Sequence, residues 1–201
     1  MITYPLIVPT GALTRESSIQ LLAGTVVAIS TSPYTMQTTV YDYNAETWGL
    51  KVSINPITRS EAQPWIAFLS ALRGRTGTFI FGPTLFDSPL GAGTGVPLVN
   101  GANQTGRELV TDGWSNNTLV LKAGDLFQIN QRLYMSLKDV VSNGSGQATI
   151  DIFPRAKAHA DNSALILESP AGIWRLNSNT VPLVDAGESG LFNINFEAEE
   201  A

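Results

Sequence analysis

The chain has 201 residues, of which 43% are hydrophobic and only 14% charged; this excludes a disordered or solvating polypeptide and suffices for one large β domain or two small ones. A net charge of −5 and a pI near 4.8 exclude a nucleic-acid reader that grips phosphates with a basic stripe, and the lack of cysteine removes disulfides and thiolate metal sites. The N-terminal MITYPLIVPTG has no basic flank and is broken by Pro5 and Pro9, unlike a signal peptide, and no apolar run approaches the roughly 20 residues of a membrane helix, so no membrane insertion is expected.

In chain order, residues 1–57 read as strands separated by turns. A β-branched run covers 25–30, Ser32, Pro33 and Tyr34 form a turn tip, and a Thr/Val/Tyr strand covers 37–41. The clearest strand is 48–54, where Trp48, Leu50, Val52 and Ile54 alternate with Gly49, Lys51 and Ser53. That is the pattern of one buried and one wet face. One helix is predicted, over about 60–73, because Trp65, Phe68, Leu69 and Leu72 recur at i, i+3, i+4 and i+7. Two overlapping capping boxes, Thr58 with Glu61 and Ser60 with Gln63, leave its first residue open. Arg73 suits the helix C-terminus, and Gly74 can close it in the left-handed conformation. A strand at 78–81 follows and breaks at Gly82 and Pro83.

From 87 to 106 the sequence turns Gly-, Pro- and Asn-rich with hardly any charge. A connection this long without elements of its own marks the exit from one domain and the entry to another. Short strands then recur at 118–121, 126–129, 133–137, 147–152 and 164–167, punctuated by turn residues. This spacing suggests a small closed or half-closed barrel. Strands at 172–176 and 191–197 end the chain; in the second, Phe192, Ile194 and Phe196 alternate with polar residues. The expected fold is therefore mainly β with one α-helix: a discontinuous sandwich-like domain, 1–86 plus 171–201, interrupted by a small β-barrel domain at 87–170.

Reactive groups are sparse. His159, the sole histidine, lies in the polar stretch RAKAHADN and reads as solvated. No G-x-S-x-G elbow is present. Gly91, Gly93 and Gly95 lack the following helix that a phosphate loop requires. Asp139, Asp151 and Asp161 sit beside turns, where carboxylates are usually solvated or capping. Trp114 next to a turn is either a plug on the barrel end or an exposed platform for a sugar or partner. No catalytic, cofactor or metal residue is assigned, and an enzyme is not expected.

Four segments carry a resemblance. They are FLSALRGRTGTF at 68–79, PLVNGANQTG at 97–106 with TDGW at 111–114, LKAGDLF at 121–127, and GQATIDIFPR at 146–155 with the run 161–170. In order and spacing they resemble the distal tail proteins at the tail tip of long, non-contractile-tailed phages. The resemblance implies a tail-tube-like β domain with one helix, closing into a ring that is usually a hexamer, and an outer β domain of the oligonucleotide/oligosaccharide-binding barrel kind. It implies a virion location at the tail tip, with assembly in the bacterial cytoplasm, and no cofactor. Its implied partners are further copies of the chain, the tail tube protein, the hub and tape-measure proteins, and fibres, with DNA passing only in transit through an acidic bore.

Candidate oligomer or partner contacts are Pro33, Tyr34, Arg73, Arg75 and Trp114. The plain alternative is that Arg73 caps its own helix and Arg75 is solvated. A competing reading makes the insert a carbohydrate-binding module with Trp114 as its platform. A weaker one makes the chain a cell-wall hydrolase, which would have to work through His159.

Overall fold

The computed structural model describes residues 2–9, 17–83, 86–182 and 190–201. The chain begins with β1 (Leu6–Ile7), β2 (Ser17–Thr31) and β3 (Thr38–Ile57), then helix α1 (Arg59–Leu72), a 3-10 turn at Gly74–Thr76 and β4 (Thr78–Phe81). The middle segment contains β5 (Gly95–Val99), β6 (Gly106–Trp114), β7 (Leu119–Leu121), β8 (Leu126–Ile129), β9 (Arg132–Ser136), β10 (Val140–Val141) and β11 (Ala148–Ala156). The chain closes with β12 (Gly172–Leu176) and β13 (Phe192–Glu200). The molecule is mainly β with a single helix among the described residues.

The early and late strands share one six-stranded sheet in the order β1-β4-β12-β13-β3-β2, and β5-β6-β11-β9-β8 form a second sheet. The curled sheet makes half a barrel. The predicted strand at 164–167 is reduced to two isolated bridges, Leu98 with Ala164 and Gln128 with Ile166. Those bridges fall on β5 and β8, the two edges of the second sheet, so this short segment ties one edge to the other.

Helix α1 lies on the first sheet. Trp65, Phe68, Leu69 and Leu72 are all buried, and Phe68 meets Phe79 of β4 edge-on at 5.5 Å while Trp65 and Phe79 each lie 6.1 Å from Phe196 of β13. At its start the Glu61 carboxylate accepts from the Thr58 N–H at 2.9 Å and the Thr58 hydroxyl at 2.7 Å, which settles the open choice of capping box in favour of Thr58. These bonds hold the Glu61 carboxyl below its ordinary pKa. The C-terminus differs from expectation: Arg73 itself takes the left-handed conformation, φ 52°, as C-cap, followed by Gly74 at φ 65°.

On β3, Trp48, Leu50, Val52 and Ile54 are each at most 2% exposed. The alternation therefore places one face under the helix and the middle segment. The core is shared between the two sheets: Leu126, Leu133 and Phe153 join the cluster built on Trp48 and Trp65. Trp48 packs edge-on against Phe153 at 4.7 Å and its indole N–H donates to the Leu133 carbonyl at 3.0 Å. A separate core fills the second sheet, centred on Leu109, Phe127, Tyr134 and Ile150.

Two expectations are corrected. The predicted strands at 37–41 and 48–54 are one 20-residue strand, β3. Between them Asn44 adopts φ 57° and its N–H donates to the Asp42 carboxylate at 2.7 Å; this is a bulge, matched by a register shift between Val26 and Val27, and its polar residues read as a turn. The stretch 87–106, expected to lack elements of its own, contains β5 and is tied down by Asp125. That buried carboxylate accepts from Leu90 N–H at 2.8 Å, Gly91 N–H at 3.0 Å and Lys122 N–H at 2.7 Å. The N–H groups of Ala92 and Gly93 are used on the Leu119 and Val120 carbonyls. A phosphate would find these donors already bonded.

Candidate functional site

The most unusual surface is the β2–β3 hairpin. β13 pairs with β3 only from Ile57 to Gly49. From there to the tip, β2 and β3 have only each other, a two-stranded ribbon roughly 30 Å long at 3.4 Å per residue. Val27, Ile29 and Thr31 pair with Asp42, Val40 and Thr38 on one face; Ala28 and Ser30 pair with Tyr41 and Thr39 on the other. Both faces are wet. Val26, Val27, Ile29, Val40, Tyr41 and Tyr43 are 45–65% exposed, which is a concentration of apolar surface of the kind that marks an interaction site. An isolated two-stranded ribbon is marginal in water.

Pro33 and Tyr34 lie at the tip, as the sequence predicts. The Ser32 hydroxyl accepts from the Tyr34 and Thr35 N–H groups, both at 3.4 Å. Tyr34 is 94% and Met36 77% exposed. The base of the ribbon is braced by the middle segment. Arg107 of β6 donates to Glu46 at 2.8 Å and Asp42 at 2.9 Å, and Arg155 donates to the Asn44 side chain. Replacing Arg107 with alanine should free the base of the arm. Hydrogen exchange at amides 42–47 is expected to rise severalfold, with 50–54 unchanged; equal protection in the variant would show that the brace does not hold the arm.

The helix-to-strand corner is less available than the sequence suggests. Arg75 donates to Glu199 of β13, and its backbone N–H donates to Asn179 at 3.2 Å. It is half exposed, and its guanidinium is already engaged within the chain. Arg73 is exposed and held at the helix end by its left-handed backbone. On the sheet face opposite the helix, Lys51 pairs with Glu197 at 2.7 Å, and Arg175 lies in register with Glu199. The Glu197 carboxyl is held below its ordinary pKa, mainly by the Lys51 contact.

Trp114 takes the buried alternative of the two left open, and His159 departs from expectation. Trp114 is 4% exposed, and its indole N–H donates to the Thr111 hydroxyl at 2.8 Å. It belongs to the second core, so it offers no ring face to a sugar. His159 is buried rather than solvated, bonded to the Tyr134 hydroxyl at 2.8 Å. Burial first, then Arg132 and Lys157, push its imidazole pKa down. The unfolded chain then binds the proton more readily than the fold does. The stability tied to neutral His159 is fully present above the ordinary value near 6.5 and declines as pH falls below it. Burial raises the nearby Glu200 carboxyl, whose contribution runs the opposite way. His159→Gln should therefore flatten the loss of urea resistance between about pH 7 and 5. An unchanged slope would assign that loss to other groups.

Asp139, Asp151 and Asp161 do structural work: they bond Ala123 N–H, Lys138 and Gly101 N–H respectively. No helix among the described residues is long and apolar enough to cross a membrane. No protein-family model matches the chain, and no curated protein matches it at a significant level.

Proposed function

We propose that the chain is a structural subunit of a phage tail tip, a distal tail protein that assembles with its own copies into a ring. The observation that carries this reading is the projecting β2–β3 ribbon, which exposes a concentration of apolar side chains and, beyond its braced base, pairs with no third strand. Such an arm fits a neighbouring copy in a head-to-tail contact, which closes into a ring when the rotation between copies permits. The sheet also ends in two unlike edges, the long β2 and the two-residue β1. Joining them across subunits would hide edges that otherwise invite aggregation.

In this reading the ring, a hexamer by resemblance, joins the tail tube protein to the hub, tape-measure and fibre proteins, and the five-stranded half barrel is its outer decoration. DNA passes through without specific binding. An acidic bore built on the open sheet face would draw on Glu197 and Glu199, and each is paired with a cation. We therefore propose a bore wall of alternating charge there, which still holds no net attraction for phosphate. The carbohydrate-module reading loses its platform with the burial of Trp114.

The test is the mass of the purified chain by native mass spectrometry across a concentration series. A closed oligomer of fixed copy number supports the proposal, and a monomer throughout removes it.

A further inference from the structure

A cleft of about 480 Å3 opens at the junction of the two sheets, away from the hairpin. Its volume is within the range of small-molecule sites. The middle segment lines it with Gln131 and Arg132 at the β8–β9 turn and with Lys157 and His159 after β11; the first sheet adds Thr78 and Glu200.

The side chains lining the cleft carry an excess of positive charge in a chain of net charge −5: Arg132 and Lys157 stand against the side-chain carboxylate of Glu200, and the backbone of Ala201 completes the wall. The Arg132–Glu200 pair is incomplete: one Nη2 contact at 3.4 Å joins them, although the side chains are only 12% and 3% exposed. Arg132 Nε and Glu200 Oε1 are buried without a partner. Unpaired buried donors and acceptors are uncommon and costly, and they mark sites where a partner is absent. Lys157 forms no ion pair among the described residues. Arg132 also lies over the Tyr134 ring at 5.6 Å, which fixes its guanidinium against β9. The crowding of cations is visible in Lys157 and His159, whose pKa values fall through burial first and then through Arg132.

We propose that this cleft binds a small polar molecule carrying one oxyanion, a phosphate or a carboxylate. Lys157 supplies the uncompensated charge, and Gln131 and Thr78 offer hydrogen bonds to the remainder. The occupant would touch both sheets and so stiffen their junction. The inference is independent of ring formation, since none of these residues lies on the arm.

The full chain is titrated by calorimetry, and by amide NMR, with glucose 6-phosphate, glucuronate and neutral glucose. At least one anionic sugar is expected to bind ten times or more tightly than glucose, shifting the amides of Gln131 and Arg132. Preference for the phosphate or the carboxylate identifies the source of the oxyanion. Lys157→Glu should weaken that binding at least tenfold and Lys157→Arg should preserve it, both with an unchanged melting temperature. Equal affinity for glucose, no binding of either anion, or full binding by Lys157→Glu would each overturn the proposal.

Discussion

On the proposed ring assembly, Ile29→Lys combined with Val40→Glu is expected to leave the chain monomeric while its melting temperature stays nearly unchanged. The two residues face each other across the ribbon, and they are 65% and 58% exposed. No covered contact within the chain is lost, so the folded subunit should shift by no more than about 0.5 kcal/mol. Opposite charges keep the cross-strand pair favourable, which protects the hairpin itself. The association surface, by contrast, would acquire two charges at its apolar centre, where desolvation is expensive. Sedimentation velocity on both proteins at matched concentrations reads the difference. A variant that associates like the parent would show that the arm is not the contact.

Asp125→Ala is expected to be strongly damaging although Asp125 lies outside both hydrophobic cores. It strands the N–H groups of Leu90, Gly91 and Lys122, which converge on one buried carboxylate. The cost is about 3 kcal/mol, a fall in melting temperature of roughly 6–12 °C for a chain of this size. Gly91 makes the same point through sterics: a Cβ there would stand 2.4 Å from the Val120 carbonyl oxygen and 2.6 Å from the Leu121 backbone. Gly91→Ala should therefore destabilise comparably, with backbone rather than side chain having to move. A loss below about 1 kcal/mol in both variants would mean that this stretch detaches from the barrel without consequence.

The helix and the 48–54 alternation were legible because each is half-buried, and burial on one face writes a period into the sequence. The arm was legible only in fragments. Its residues alternate against nothing, since both faces are wet, and its bulge at Asp42–Asn44 is chemically identical to a turn. The tip at Pro33 and Tyr34 was visible because turn chemistry is local. Trp114 and His159 were misjudged or left open for the opposite reason. Trp114 follows Gly113, whose φ of 78° suggests a turn, but the pairing of β6 aims the indole inward. His159 sits among polar neighbours in sequence and is buried by Tyr134, which comes from a strand 25 residues away. The junction cleft left no trace at all: Thr78, Arg132, Lys157 and Glu200 are brought together only by the packing of two sheets.

The account rests on copies of this chain recognising one another through the arm. Electron microscopy of the concentrated protein, with the mass of the particles measured in parallel, tests that most directly. Rings of constant diameter and copy number are predicted, replaced by single subunits in the Ile29→Lys, Val40→Glu protein. A parent chain that stays single at every concentration and is missing from purified particles would contradict it.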